Sequence, residues 1–397
     1  MKIAIVVHGR FYGFDLAREL SRHHDVTVFT NYPKWAAKRF GLSPRQLRSF
    51  WAHGVASRMA RWLQNSLSLP FPEAAEHRAF GYWAASQIRK ERWDVVNSFS
   101  GVSEEVMRQL GKGHTVRMMV RGSAHIRGQA RLLEEEERRT GLKLERPSQW
   151  IIAREEREYS LADRIVVLSR FAWDSFVREG VEPDRLTLLP LGTDFKGFRA
   201  SQRTVDARCD RLLSGAPLRL LFVGALSFRK GVLDVASIAR GLDMERFRIR
   251  LAGPISKEAR GFVRALPAFV ELIPKQPQHA LPKTYAWGDV FLFPTIEDGF
   301  AVVLAQAAAA ALPILTTMNC CGPDLIHEGC TGWVFPIRSA SAFIERLYWC
   351  DTHRVELAQM VRNIHQHFQP RTWTDVAADF ASSCTESMTP NGHKQAT

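Results

Sequence analysis

Short runs of apolar, mostly β-branched residues recur along the chain, each followed by a polar or glycine-containing loop and then by apolar residues at helical spacing. Lys2 to Val7 is the first run. The loop His8-Gly9-Arg10-Phe11-Tyr12-Gly13-Phe14-Asp15 follows it, then Leu16 and Leu20 at helical spacing, then a second run at Val26 to Phe29. Strands that read as continuous apolar runs and alternate with helices predict a parallel sheet covered on both faces. Trp93 to Ser98 and Val116 to Val120 continue the pattern, and Gly101-Val-Ser-Glu is read as the opening of a helix. At Leu218 to Val223 it starts afresh, with the loop Gly224-Ala225-Leu226-Ser227-Phe228-Arg229-Lys230-Gly231 and a helix through Val232, Val235 and Ile238. The repeat predicts an α/β protein of two Rossmann-like domains.

The most informative stretch runs from Val290 to Pro313. Val290 to Phe293 is a buried strand ended by Pro294, Glu297-Asp298-Gly299 supplies a turn, and an alanine-rich segment of high helix propensity runs to Pro313. A helix starting near Gly299 would aim its free N–H groups and positive dipole end beyond the strand, where a phosphate is favoured. Asp298 sits at that mouth, and Gln306, eight residues on, returns to roughly the same face. An acid and an amide beside an anion-binding helix start suit a sugar and a ribose on either side of a diphosphate. Arg229 and Lys230 stand where a loop becomes a helix. Two cations at a helix start oppose the dipole unless an anion joins them, and a phosphate-bearing ligand is such an anion.

Composition narrows the class. With 397 residues, 46% hydrophobic and 24% charged, the chain is globular and too long for one core. The six cysteines have no metal-ligand spacing, so no zinc site is expected and reduced thiols imply a cytoplasmic protein. The amino-terminal run is too short for a signal peptide, and no run is long enough to span a membrane. The glycines of the first loop do not match a dinucleotide fingerprint. The net charge of +13 is held mostly by the first half. No acid occurs from Val26 to Pro72, where Lys34, Lys38, Arg39, Arg58 and Arg61 alternate with Trp35, Phe40, Trp51, Met59 and Trp62. Residues 34–62 fit either an anionic membrane surface or a pair of ordinary amphipathic helices with solvated basic faces. No nucleic-acid-binding motif accompanies the charge. Residues 131–158, dense in charge, read as a solvated helix.

The stretch at 290–313 resembles the loop and helix of family 4 of the retaining glycosyltransferases, which have the GT-B fold. That family usually reads Pro-Ser-x-x-Glu-Gly-Phe-Gly, then a second Glu, a small residue, Gly, x and Pro. Here Asp298 replaces the first Glu, Ala301 the second loop Gly, Gln306 the second Glu and Ala311 the last Gly. The resemblance continues through Glu158 to Ser169, Val181 to Asp194, the Lys230-Gly231 pair, Leu281 to Asp289, Gly322 to Ile326 and Gly332 to Pro336. It implies an acceptor-binding domain over 1–197, a nucleotide-sugar domain over 198–372, and over 373–397 a helix returning to the first domain, with a tail. The polar run Lys196 to Pro217, rich in charge and containing Ser and Gly, reads as the linker.

By the same resemblance His125, just past a strand, positions the donor sugar and the acceptor hydroxyl, Gly13 lets the backbone approach donor or acceptor, and Pro274 lies near the nucleobase. The implied catalytic set is His125, Arg229, Lys230 and Asp298. The donor-binding set is Gly13, Arg229, Lys230, Pro274, Asp298, Gly299, Phe300, Ala301, Val302 and Gln306. The implied reaction transfers a sugar from a UDP- or GDP-sugar to a glycan or lipid-linked acceptor with retention, by front-side attack assisted by the leaving phosphate. No Asp-x-Asp occurs, which fits metal independence, and no cofactor is expected beyond the donor. Such a protein would serve polysaccharide or lipopolysaccharide assembly in the cytoplasm, or peripherally on the inner face of the plasma membrane. Two readings stand beside this one: a catalytically silent GT-B scaffold that binds an anionic membrane or glycan, and a GT-B sugar-nucleotide epimerase.

Overall fold

The computed structural model describes residues 1–67 and 71–388; the rest of the tail, 389–397, lies outside them. Its frame is two parallel sheets. The first holds β1 (Lys2–Val7), β2 (Asp25–Thr30), β3 (Leu47–Ser49), β4 (Val95–Phe99), β5 (Val116–Val120), β6 (Arg164–Val167) and β7 (Leu186–Leu188), in the order β3-β2-β1-β4-β5-β6-β7. The second holds β8 (Leu218–Val223), β9 (Phe247–Ala252), β10 (Val270–Ile273), β11 (Val290–Phe293), β12 (Ile314–Thr317) and β13 (Gly332–Phe335), in the order β10-β9-β8-β11-β12-β13. These are the two Rossmann-like domains that the repeated strand, loop and helix pattern predicts.

Why the sheets are covered on both faces follows from the two-residue period of a strand. Ile3, Ile5 and Val7 pack into one core layer and Ala4 and Val6 into another with Phe29, Phe80, Ile88 and Trp93. In both sheets the strand order reverses beside the first strand, between β1 and β4 and between β8 and β11. The loops leaving the carboxyl ends of those four strands therefore diverge and leave a crevice, the usual ligand position in an open α/β sheet.

The chain crosses between domains twice at one place. Thr193 N donates to Arg371 O at 3.1 Å, and Gly192 lies so close to Thr372 that a Cβ there would stand 2.6 Å from its carbonyl oxygen. The final helix, Trp373–Met388, then packs on the first domain: Trp373 stacks near Tyr12, Thr374 Oγ1 donates to Glu19 Oε2 at 3.2 Å, and Cys384 meets Met118.

Three expectations change. The polar run at 196–217 is not an extended linker, because Gln202–Leu213 is a helix that buries Val205, Cys209 and Leu212 in the second domain. Its Arg208, fully buried, donates to the carbonyls of Gly288, Ala310 and Ala311. Charge there is a capping device for the end of the alanine-rich helix. Ala311, in the place of the family's glycine, does take a left-handed φ of 56°.

The second change concerns residues 131–158, which form parts of two helices, Ile126–Thr140 and Gln149–Leu161. They are not simply solvated: Glu136, Arg154 and Glu158 are buried, and Arg154 bridges the Gly101 carbonyl, Glu105 and Glu158. Arg139 pairs with Asp234 at 2.7 Å and Arg338 with Glu135 at 2.7 Å, so helix Ile126–Thr140 ties the domains together. Ion pairing across an interface removes the solvent that charge density alone implies.

The third is the alanine-rich helix, which runs Val302–Ala309 and starts three residues after Gly299. The turn ahead of it is held by one side-chain and one backbone bond instead: Asp298 Oδ1 accepts from Phe300 N at 3.3 Å and the Asn319 carbonyl accepts from Asp298 N at 3.0 Å.

Candidate active site

The crevice between the domains holds a cavity of about 560 Å³, walled from the first domain by the loops after β1, β4 and β5 and from the second by those after β8 and β11. Arg229, Asp298, Phe300 and Val302 face it from one side, and His8, Phe11, Tyr12, His77, Phe99 and Arg121 from the other.

On the second-domain side the cations are already paired. Ser227 caps the short turn Phe228–Lys230, fixing both side chains at the end of β8. Lys230 Nζ makes an ion pair with Asp298 Oδ2, and Arg229 Nη1 donates to Glu297 Oε2 at 3.0 Å. Burial lowers the Lys230 ammonium below its ordinary range against the pull of Asp298. Burial alone would raise the Glu297 carboxyl, but Arg229 and Lys230 hold it below its usual range, so it stays ionised. Gly231, with φ 79°, lets this loop pass the next one: a Cβ would stand 1.9 Å from Pro294 O.

Glu297 also reaches across the crevice. Its Oε1 accepts from Ala124 N and its Oε2 from Gln129 Nε2, both at 3.0 Å. Gln129 Oε1 in turn accepts from Arg121 Nη2 at 2.7 Å. The result is a chain of charge and amide from Arg121 through Gln129 and Glu297 to Arg229. Gly299 makes the close approach sterically feasible, since a Cβ there would lie 2.3 Å from Gly122 O.

Of the residues singled out from sequence, Arg229, Lys230, Asp298, Gly299, Phe300 and Val302 come together at this wall. Ala301 is buried at the start of helix Val302–Ala309. Pro274 lies apart, in a second cavity of about 510 Å³ within the second domain, with Leu226, Gly253, Arg260 and Lys275. Gly13 starts helix Gly13–Leu20, where a Cβ would press on Val7 at 3.3 Å; its neighbours Phe11 and Tyr12 reach the cavity instead.

His125 and Gln306 face elsewhere. The His125 ring is buried between Tyr159 and Phe176, its Nδ1 accepts from Arg127 N at 3.3 Å as a helix cap, and it does not line the cavity. Burial pushes its pKa down to about 4. Gln306 is buried and accepts from the Tyr285 hydroxyl at 2.9 Å.

Sequence reading passed over Glu297, Arg121, His8, His77 and Phe11. Two of them carry the signal of standing directly after a strand, His8 after β1 and Arg121 after β5. Phe11 has φ 41° and its ring packs on Phe99, a backbone state that no pattern announces. His8 Nε2 accepts from Asn31 Nδ2 at 2.9 Å and lies 3.4 Å from Glu76 Oε1. Burial pushes its pKa down to about 4 against the Glu76 carboxylate.

Comparison with known proteins identifies the family and the fold. Residues 12–196 match the model of glycosyltransferase family 4, and residues 217–350 match that of glycosyl transferases group 1. A protein of Salmonella typhimurium described as a colanic acid biosynthesis glycosyltransferase, WcaL, is 28% identical over 180 residues, 42% of each chain. The amylovoran biosynthesis glycosyltransferase AmsK of Erwinia amylovora is 23% identical over 198 residues, 47% of each chain. The matches thus span under half the length of these curated relatives. Among solved structures, Anabaena HepE in complex with UDP superposes with a TM-score of 0.68 at 12% identity, over 97% of this chain and all of that one. WaaG, a glycosyltransferase involved in lipopolysaccharide biosynthesis, does so with a TM-score of 0.62 at 16% identity, over 96% and 99%. At such identities the likeness is one of fold.

Proposed function

This chain belongs to family 4 of the glycosyltransferases and has their two-domain GT-B fold, and on that premise we propose that it moves a sugar from a nucleotide-sugar to a hydroxyl of a glycan or lipid-linked acceptor, in cell-surface polysaccharide or lipopolysaccharide assembly. The observation that carries the reading is the Arg229–Lys230 pair at the end of β8, its cations balanced by Glu297 and Asp298 and opening on a cavity shared by both domains. HepE has been crystallised with UDP and with UDP-glucose, and WcaL, AmsK and WaaG are described by polysaccharide or lipopolysaccharide synthesis.

In this reading the donor diphosphate enters beside Arg229, and the guanidinium offers it a fork of donors while Lys230 supplies a point charge. Both stabilise the charge that grows as the glycosidic bond breaks. Asp298, held by Lys230 and the Phe300 amide, presents its carboxylate to a sugar hydroxyl. The nucleoside lies toward Pro274. The acceptor oxygen approaches from the first-domain wall, between His8, Phe11 and Phe99, and attacks the anomeric carbon on the face from which the diphosphate leaves. Its proton passes to the departing phosphate oxygen, and configuration is retained. Arg229 and Lys230 reach the diphosphate by giving up part of their pairing with Glu297 and Asp298, and we propose that they do so without a metal ion.

One observation favours a second reading, a catalytically silent scaffold: Gln306 is occupied by Tyr285 in the core and leaves no carboxylate for a ribose. A panel of UDP- and GDP-sugars, assayed for nucleoside diphosphate release with and without a chelator, separates the two. Turnover in the wild type that survives chelation and disappears in Lys230→Ala supports transfer, and the anomer of the product, read by NMR, reports retention. Absence of turnover with every donor supports the scaffold.

A further inference from the structure

Helix Trp51–Leu67 presents its faces in an unusual order. Toward the protein it turns small and polar residues: His53 and Ser57 are buried, and Gly54 sits so close to Asn31 that a Cβ would lie 2.3 Å from its carbonyl oxygen. His53 Nε2 donates to Glu76 O at 2.9 Å and its ring packs on Phe50 and Phe80, which anchors this face. Toward solvent the helix turns Trp51, Val55, Met59 and Trp62, which are 62%, 50%, 55% and 58% exposed. At about 100° per residue these four fall within about 80° of arc, a single stripe.

The stripe lies beside a segment rich in cations, two of which, Arg48 and Arg61, have acids from outside the segment at 3.7 and 3.5 Å, Glu91 and Glu76. Arg58 borders it on one side and makes no ion pair among the described residues, while Arg61 lies farther round on that same side, over the Phe71 ring and beside Glu76. Trp35, 70% exposed with Arg39 over its ring, adds a second aromatic near the same basic segment. All seven cations from Lys34 to Arg61 are exposed, and no acid interrupts them from Val26 to Pro72. A protein partner usually offers a patch of mixed charge, whereas a bilayer of acidic lipids offers uniform negative charge over an apolar interior. Tryptophan and long aliphatic side chains partition into the headgroup boundary, and arginines at the edge of such a face pair with phosphates.

We propose that the Trp51, Val55, Met59 and Trp62 face docks this protein on an anionic phospholipid bilayer, with Arg58 on the headgroups. His53, on the inner face, packs against His8 with ring centroids 5.5 Å apart, and His8 lines the cleft. Docking therefore brings the first-domain wall of the cleft close to the bilayer surface. That last consequence rests on the transferase reading, in which it would shorten the path of a lipid-linked acceptor; the docking itself does not.

The test is flotation of the full chain with phosphatidylglycerol-rich vesicles and with pure phosphatidylcholine vesicles, at low and high salt. The wild type is expected to float with the acidic vesicles at low salt and to dissociate as salt rises. Met59→Asp/Trp62→Asp and, separately, Arg58→Glu are expected to reduce binding by about tenfold or more, with thermal unfolding as in the wild type because these side chains are exposed. A wild type that stays unbound, or variants that float equally well, overturns the proposal. So does a wild-type dimer in sedimentation that the Asp variants split without any vesicle binding, since the stripe then serves self-association. Nucleoside diphosphate binding, measured in the same preparations by thermal shift, reports the transferase reading independently.

Discussion

Glu297, in the second domain, accepts a hydrogen bond from the backbone N–H of Ala124, in the first, at 3.0 Å, while its other carboxylate oxygen holds Arg229. The residue that tethers a candidate donor-binding cation thus also closes the cleft. A ligand diphosphate at Arg229 would compete for one end of this link and so change the tension on the other.

Replacing Glu297 by Ala removes both the hydrogen-bond acceptor for Ala124 and the charge facing Arg229. The expected cost is about 2 kcal/mol, below that of a fully buried broken pair because Arg229 is partly solvated. Chemical unfolding measures it, and small-angle scattering is expected to show a more open molecule. Unchanged stability and unchanged scattering would falsify the role of Glu297 as a clamp.

Gly299→Ala tests closure from the steric side. The added methyl would lie 2.3 Å from the Gly122 carbonyl oxygen, a backbone atom that cannot give way without moving a domain. We expect the second domain to fold normally, since the clash is with the first, and the radius of gyration to increase. A closed molecule of wild-type dimensions would mean that the loops slide past one another.

Nucleoside diphosphate binding is expected to stabilise the folded state by mass action, by about 2.7 kcal/mol at a hundredfold excess over the dissociation constant, and so to raise the unfolding temperature. Thermal shift with UDP, GDP, ADP, CDP and dTDP identifies the base. Arg229→Ala and Lys230→Ala should each abolish the shift. Retention of the full shift in both variants would place the diphosphate elsewhere.

Acid stability has a specific source in His125. Its folded-state pKa is pushed down to about 4 from 6.5 by burial. The unfolded chain therefore takes up a proton below pH 6.5 that the folded chain refuses until about pH 4, and stability falls as pH drops through that window, by about 3 kcal/mol. His125→Asn retains a helix cap and removes the titration. Denaturant unfolding from pH 7 to 4.5 should show a shallower loss in the variant, and equal slopes would refute the assignment.

Arg208→Met should be among the more destabilising single changes outside the cleft. The guanidinium donates to the carbonyls of Gly288, Ala310 and Ala311 in a fully buried position, and a thioether of similar length leaves those acceptors unmet. The cost is about 3 kcal/mol, visible as a lower unfolding midpoint. Nucleoside diphosphate affinity should stay as in the wild type.

The local pattern determined much of this protein. Apolar runs such as Lys2–Val7 and Val290–Phe293 are long enough, and flanked by enough glycine and proline, that only buried parallel strands suit them, and their repetition after residue 217 divides the chain into two similar domains. The Arg229–Lys230 pair was legible because two cations at a helix start are unfavourable without an anion, although the structure supplies two from the protein itself, Glu297 and Asp298. What the tertiary structure decided is which polar side chains share one space. Glu297 and Ala124 are 173 positions apart, and no spacing rule relates them. His125 and Gln306 carry the right chemistry at plausible offsets, yet packing with Tyr159, Phe176 and Tyr285 turns both into the core, because burying those rings outweighs any local preference for the cleft. The charged helix Ile126–Thr140 reads as solvated until its partners on the second domain, Asp234 and Arg338, are brought against it. Periodicity fixes the faces of an element, whereas what each face meets depends on contacts between residues far apart in the chain.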